Sequence, residues 1–312
     1  MMPHLKASAI ALLLPLLFSS VIAEDVKLVG CDDVGCPPYY DSDRCTVENT
    51  TFIGVGVSPI PDVPSELEGF SLVKAVNVSA TPVQFNGSRV RPFRSFYYLG
   101  TPEHTETSSL SGCAVIFNDP PVNKFTPPSG SDTFAATGTC ADVIQQTCID
   151  TIKQRARNAA SRAGGNANAC SALEQELKKD DFSGCSSFGG HGTSLGNFTV
   201  KSIGDLHAAR NSSDCWPVQR KSDGLMQIAE VISNGSSSRA EDFYSEAYKI
   251  TPVVTVFLGG NNSLVRNTTS QMTCLKMVSH RHYPYRAEDS AAALRGGWLA
   301  VTIATLVGVV VM

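Results

Sequence analysis

The glycine-rich stretch GCSSFGGHGTSLG holds the side chains best suited to nucleophilic chemistry in this chain. Ser186, Ser187, His191 and Ser194 lie there close together among glycines. A serine hydrolase places its nucleophile in G-x-S-x-G, and a phosphate-binding loop ends in G-K-[ST]. Neither pattern occurs in the stretch, so it favours a surface loop over an active site.

Histidines and aspartates are the candidate metal ligands in this sequence. His280 and His282 alternate in HRH, which would place them on one face of a strand, but a catalytic zinc usually takes three protein ligands and no third lies nearby. The segment CDDVGCPPYYDSDRC carries four acidic residues without the D-x-D-x-D-G spacing of a calcium loop. We therefore predict no metal site and no cofactor.

The sequence also contains no specific motif for general acid–base catalysis. Asp205 and His207 resemble an oriented base, but no nucleophile can be paired with them. A glycosidase would need two carboxylates about 5–9.5 Å apart in a cleft, and spacing along a chain does not reveal such a pair. We assign no catalytic residue. Carbohydrate binding would need exposed aromatics, for which Tyr97 and Tyr98 are candidates, although neighbours on a strand face opposite ways.

Cysteine usage indicates an oxidising compartment. An even count of ten in a secreted chain predicts disulfides rather than thiol catalysis or zinc binding. In a helix, Cys140 and Cys148 would be about 12 Å apart, beyond the roughly 7 Å limit for a bridge. We predict nested bonds Cys148–Cys170 and Cys140–Cys185. The cysteines are Cys31, Cys36, Cys45, Cys113, Cys140, Cys148, Cys170, Cys185, Cys215 and Cys274.

Glycosylation sequons are more frequent than chance predicts for this composition. Each used site must lie at the surface of a secreted protein. None occurs between Asn86 and Asn197, either because a face is kept clear for a partner or by accident of spacing. The predicted sites are Asn49, Asn77, Asn86, Asn197, Asn211, Asn234, Asn261 and Asn267.

Both ends of the chain are typical of processing signals. Residues 1–23 combine a short basic lead, an apolar run and the small residues Val21 and Ala23, as in a cleaved secretory signal. Residues 291–312 combine small residues, a short spacer and the apolar tail GGWLAVTIATLVGVVVM, which favours a glycosylphosphatidylinositol (GPI) attachment signal. Ser290, or Asp289, would carry the anchor. A single-pass tail anchor is the alternative.

Charge argues against nucleic acid as a partner. The chain has 25 basic and 29 acidic residues, and Lys6 and Arg295 fall in the segments to be removed. No basic run is present to neutralise phosphates.

The order of elements predicts an α+β fold, with an antiparallel sheet core, a disulfide-stapled helical hairpin and two further helices. TFIGVGV, FSLVKAVNVSA, RSFYYLG, CAVIFN, NFTVKSIG, VVTVFLGG and QMTCLKMVS are typical of strands. A capping box at Thr139 and Asp142 opens the hairpin, with a stripe at Cys140, Ile144, Cys148, Ile152 and Ala156. We predict further helices from Ser222 through Ile232 and from Ser238 to Tyr248.

The predicted organisation is one glycosylated, disulfide-rich ectodomain over residues 24–280, with a short stalk at 281–290. The proline-rich segment NDPPVNKFTPPSGSD suggests a sub-boundary near 119–138. We see no internal repeat.

Several segments resemble secreted, GPI-anchored hypothetical proteins of filamentous fungi: CWPVQRKSDGL, YKITPVVTVFLGG, TCLKMVS, FYYLGTPE and GCAVIFN. The resemblance implies a fungal surface location but no catalytic residue, because that group has no assigned activity. The sequence thus favours a non-enzymatic glycoprotein on the extracellular face of the plasma membrane or in the cell wall. Its partners would be the membrane, through the lipid, and wall polysaccharide or another surface protein. The alternative is an extracellular hydrolase or transglycosylase acting on wall polysaccharide.

Overall fold

The computed structural model describes most of the predicted ectodomain. The described residues are 28–36, 45–79, 81–85, 87–119, 138–163, 166–186, 188, 192–204, 206–211, 215–233 and 246–278. Both predicted processing signals and the predicted stalk therefore lie outside them, as does almost all of the proline-rich segment near 119–138.

Two four-stranded antiparallel sheets form the centre of the fold. The first sheet has the order β10-β7-β4-β3, made of Gly224–Ile232, Phe93–Thr101, Ser71–Val78 and Gly54–Pro59. The second has the order β12-β11-β8-β9, made of Thr269–Leu275, Thr251–Phe257, Gly112–Phe117 and Phe198–Ser202. Two short hairpins, β1–β2 (Thr46–Val47, Thr50–Thr51) and β5–β6 (Val83–Phe85, Ser88–Val90), complete the strands.

The central core lies between the two sheets. Leu72 and Leu99 of the first sheet and Ile116, Val253 and Leu275 of the second belong to the same buried apolar cluster. These strands are rich in β-branched and aromatic residues, which pack well on a pleated surface. Burial on both faces of both sheets explains why their sequences read as nearly continuous apolar runs.

A helical layer covers the outer face of the second sheet. It comprises α1 (Cys140–Val143), α2 (Gln146–Ala163) and α3 (Asn166–Leu177). Thr139 and Asp142 form the predicted capping box. Cys148, Ile152 and Ala156 are buried on one face of α2, as the four-residue spacing predicts. The helix is interrupted at Ile144, which is extended and caps α1.

A smaller apolar cap covers part of the outer face of the first sheet. Residues of 31–36 and 45–52, together with Trp216 and Val218, pack against Val73, Phe96 and Tyr98 there. Trp216 is almost completely buried and donates from Nε1 to the carbonyl of Asp223 at 3.0 Å.

The chain beyond β12 joins the edges of the two sheets. Val278 forms an antiparallel bridge with Val55 of β3. A Cβ atom at Gly56 would collide with the carbonyl oxygen of Lys276, and one at Gly54 would collide with the side chain of Met277. The glycines of GVGV therefore permit this close approach, which no larger residue would allow.

The predicted α+β class with an antiparallel sheet core is confirmed. The helix predicted from Ser222 through Ile232 is wrong, because this segment is strand β10. Its register shifts between Gln227 and Ala229, and its two faces contact different cores, with Leu225 in the cap and Met226 between the sheets. The predicted helix from Ser238 to Tyr248 lies largely outside the described residues, of which 246–248 are helical.

Candidate functional site: a buried lysine cluster, a surface groove and a glycine-rich pocket

Lys74 lies at the centre of a buried polar cluster. It occupies β4 within the predicted strand FSLVKAVNVSA, faces away from the cap and has no solvent exposure. Its ammonium group donates to the carbonyl oxygens of Glu246 and Lys249, at 3.1 and 3.4 Å, and to the hydroxyl of Thr251 at 3.2 Å. These contacts hold the segment before β11 against the first sheet.

Glu246 provides the negative charge of this buried polar cluster. Its carboxylate accepts hydrogen bonds from Ser95 at 3.1 Å and from Lys249 at 2.9 Å. Burial opposes ionisation of Glu246, but the charges of Lys74 and Lys249 outweigh burial and lower the pKa of its carboxyl. Two lysines and one carboxylate therefore share a site from which water is largely excluded.

Burial strongly perturbs the protonation of Lys74 itself. Removal from water lowers the pKa of Lys74 to about 7, although the nearby charge of Glu246 opposes this change. Burial also raises the pKa of Tyr97, which hydrogen-bonds Thr251 and Ser95. A perturbed lysine can indicate catalysis when it faces a cleft. Lys74 does not line either pocket described below, so its contacts indicate a structural role.

A groove runs along the outer face of the first sheet, beside the β5–β6 hairpin. We call it the hairpin groove; it has a volume of about 270 Å³ and is lined by Ser79, Thr81, Val83, Val90, Pro92, Arg94, Glu230 and Ile232. Val83 is 44% exposed and Ile232 is 60% exposed, and they are the large apolar side chains with high exposure among the described residues. The groove thus brings these two exposed apolar side chains together.

The polar part of the hairpin groove is an ion pair. Arg94 Nε lies 2.5 Å from Glu230 Oε1, and this hydrogen bond with Glu230 raises the pKa of Arg94. Asn77 and Ile232 are the cross-strand partners of Arg94 on its two sides, so these three residues form a row across β4, β7 and β10.

A second, wider pocket of about 630 Å³ lies in the glycine-rich stretch. It is lined by Asp180, Gly192, Thr193, Ser194, Gly196 and Asn197. Thr193 donates to the carbonyl of Asp180 at 2.8 Å, which closes the loop on itself. Ser187 and His191 lie outside the described residues, and Ser186 is exposed.

Neither pocket brings together the two carboxylates that a glycosidase needs. Among the described residues, Asp180 is the carboxylate lining the glycine-rich pocket and Glu230 is the carboxylate lining the hairpin groove. Glu230 is neutralised by Arg94. The hydrolase alternative therefore gains no catalytic pair from these two pockets.

The structure places only some of the residues considered for sugar stacking, acid–base catalysis and metal binding. Tyr97 and Tyr98 are each 3% exposed, so neither provides a carbohydrate-stacking surface. His207 is exposed, whereas Asp205, His280 and His282 lie outside the described residues. Within the part of the chain that the structure describes, no three potential metal ligands lie together.

No helix among the described residues has the length and apolar character needed to cross a bilayer.

Six of the eight predicted glycosylation sites can be placed on the structure. Asn49, Asn197, Asn211, Asn261 and Asn267 are exposed. Asn77 is half-buried, and its side-chain oxygen accepts a hydrogen bond from the backbone of Val78 at 2.7 Å. Asn86 and Asn234 lie outside the described residues. The five exposed sites have the accessibility that glycosylation requires, whereas Asn77 is less accessible.

Four disulfides link eight of the ten cysteines: Cys31–Cys45, Cys113–Cys170, Cys140–Cys274 and Cys148–Cys185. The predicted nested pairs Cys148–Cys170 and Cys140–Cys185 are wrong. Two bridges instead fasten the helical layer to β8 and β12, because the helices lie flat on the second sheet. The exclusion of a Cys140–Cys148 bond is confirmed. Cys36 and Cys215, also predicted to be disulfide-bonded, are outside these four bonds.

No family model matches the chain, and no curated protein or solved structure matches it either. The fold and the sites described above therefore carry the functional argument.

Proposed function

We propose that the protein is a GPI-anchored glycoprotein of the fungal cell surface or cell wall, with a non-enzymatic recognition role. The observation that carries the recognition role is the convergence of the exposed side chains of Val83 and Ile232 in one groove. The accessible sequons and the disulfides that fasten the helical layer to the sheet are consistent with a protein that works outside the cell.

The proposed ligand of the hairpin groove is a wall polysaccharide. A sugar ring presents apolar C–H faces and a rim of hydroxyls. Val83 and Ile232 provide apolar surface for the faces. Arg94 and Glu230 provide a fixed donor and acceptor for the hydroxyls. Small-molecule sites usually combine apolar lining with a few polar groups that orient the ligand.

The anchor would fix which end of the fold faces the membrane. The described chain ends at Val278, and at most about 40 Å of extended chain separates it from Ser290. Ile232 and Val78 lie at the same end of the first sheet as Val55, the partner of Val278. Asn261 and Asn267 lie at the opposite end, in the connection from β11 to β12. The hairpin groove would thus lie on the membrane-proximal side, where it could hold inner wall polymers.

Binding to insoluble wall polysaccharides tests the proposal. Ile232→Glu introduces a charge into the apolar part of the groove, so we expect at least a tenfold loss of binding. Lys201→Glu on the exposed side of β9 is the matched control and should bind as the unaltered protein does. A polysaccharide-hydrolysis assay on the same fractions supplies the opposing outcome. Turnover of polymer, or equal binding by both variants, would reject the proposed role.

A further inference from the structure

Four cysteine sulfurs meet within the cap on the first sheet. Cys31 and Cys45 are bonded to each other. Cys36 Sγ lies 3.7 Å from Cys45 Sγ, and the thiol of Cys215 is hydrogen-bonded to Cys36. Cys31, Cys36 and Cys45 are buried, whereas Cys215 is partly exposed.

Backbone contacts hold these four cysteines in place. Cys36 N–H donates to the carbonyl of Cys31 at 3.0 Å, and Thr46 N–H donates to the carbonyl of Cys215 at 3.0 Å. Trp216, next to Cys215, is buried in the cap. The contact between Cys36 and Cys215 therefore belongs to a packed region in which backbone hydrogen bonds hold both cysteines.

We propose that Cys36 and Cys215 form a fifth disulfide, closed by thiol–disulfide exchange with an external disulfide such as glutathione disulfide or an oxidised protein dithiol. This bond would join the N-terminal part of the cap to the loop before β10. The cap would then be covalently closed at both of its contributing segments.

The difference in exposure sets the order of the two exchange steps. Cys215 is accessible, so its thiolate attacks the external disulfide, forms a mixed disulfide and expels one thiolate, which takes a proton from water. Cys36 then attacks the Cys215 sulfur of the mixed disulfide. It loses its proton to the second departing thiolate. The external disulfide is reduced to two thiols, and the two protein thiols are oxidised to one disulfide.

Cys36 is poorly suited to react first. Burial, the hydrogen bond with Cys215 and the nearby charge of Cys215 raise the pKa of the Cys36 thiol to about 12, so its thiolate is scarce at neutral pH. Its position beside Cys215 nevertheless gives it a high effective concentration for the second step.

The same four cysteines allow a second pairing, which the experiment must distinguish from the proposed one. Because Cys36 Sγ is close to Cys45 Sγ, exchange could instead give Cys36–Cys45 and leave Cys31 to pair with Cys215. The sequence allows the alternatives to be resolved. Cleavage at Asp32 or Asp33 separates Cys31 from Cys36, and cleavage at Arg44 separates Cys36 from Cys45.

Non-reducing peptide mapping of the secreted protein, alkylated in denaturant without reductant so that a buried thiol also reacts, tests the proposal. We expect a peptide containing Cys36 linked to one containing Cys215, with neither cysteine alkylated. In the matched control Cys36→Ser, Cys215 should take up label stoichiometrically. The double variant Cys36→Ser/Cys215→Ser should melt at a temperature lower by about 5–15 °C.

Two outcomes would overturn the fifth disulfide. One is a map containing Cys36–Cys45 and Cys31–Cys215 bridges. The other is alkylation of Cys36 and Cys215 that persists after incubation of the purified protein with glutathione disulfide. If the bond forms only during that incubation, the sulfur geometry is supported, and the oxidising compartment assumed in the proposed function is contradicted.

Discussion

At the scale of single residues, Lys74 has hydrogen-bond partners that the sequence does not identify. In FSLVKAVNVSA it occupies an inward-facing position of a strand whose neighbours are apolar. The predicted strand is confirmed, but no local feature of the sequence identifies the carbonyls of Glu246 and Lys249 as the partners of Lys74. Those partners come from a segment 172 positions away for Glu246. Long-range contacts of this kind become visible only when the sheets are assembled.

Replacement of Lys74 by Met should change the pH dependence of stability. The native-state pKa of about 7 lies below the ordinary lysine value of 10.5, so between these pH values the unfolded chain binds the extra proton. The free energy of unfolding of the unaltered protein should therefore rise from about pH 7 to 10.5, by up to several kcal/mol. Lys74→Met should lack this rise.

Urea unfolding across that pH range measures the difference. Lys201→Met, at an exposed position of β9, is the control and should retain the slope of the unaltered protein. Identical pH profiles for the Lys74→Met variant and the unaltered protein would show that Lys74 is not held neutral by burial.

At the scale of elements, strands were predicted well where apolar and β-branched residues are continuous and poorly where two cores share one strand. VVTVFLGG and QMTCLKMVS, both predicted as strands, form β11 and β12, which pair from Thr251 opposite Leu275 to Phe257 opposite Thr269. In β10, Leu225, Ile228 and Ile232 are spaced as on a helix face, but they lie in different surroundings. Leu225 packs in the cap, Ile228 lies between the sheets and Ile232 is exposed, in a strand with a register shift between Gln227 and Ala229. The disulfide pairs failed for a related reason, since cysteine spacing does not show which strand lies beneath a helix.

Gly56→Ala tests the packing of β3 against the chain that follows β12. The added methyl group would collide with the carbonyl oxygen of Lys276, which cannot move without breaking the bridge between Val55 and Val278. We expect a loss of at least about 1–3 kcal/mol in the free energy of unfolding.

Gly260→Ala is the matched control, because its methyl group would meet only the hydroxyl of Ser263, at 3.3 Å. Its effect should be well below that of Gly56→Ala when both are measured by chemical denaturation. Equal stabilities for Gly56→Ala and the unaltered protein would contradict the close approach of the two chain segments.

At the scale of the whole molecule, the two outer faces differ. A helical layer covers the second sheet, whereas the cap covers only part of the first sheet. Arg155 connects α2 to Glu176 of α3 and to Asp181, at 2.6 Å each, and lies 3.9 Å from the ring centre of Phe182. Together with the bridges to β8 and β12, these contacts fix the helical layer. The cap on the opposite side leaves the hairpin groove uncovered. The proposed recognition site lies on this less covered face.

The central claim is that the protein reaches the cell surface attached to lipid, after both terminal segments have been removed. Mass spectrometry of the C-terminal peptide, from protein purified from host membranes or wall, tests it most directly. The account predicts a chain ending at Ser290 or Asp289 that carries ethanolamine phosphate and glycan. Recovery of an unmodified peptide spanning residues 296–312 from the mature protein would contradict it.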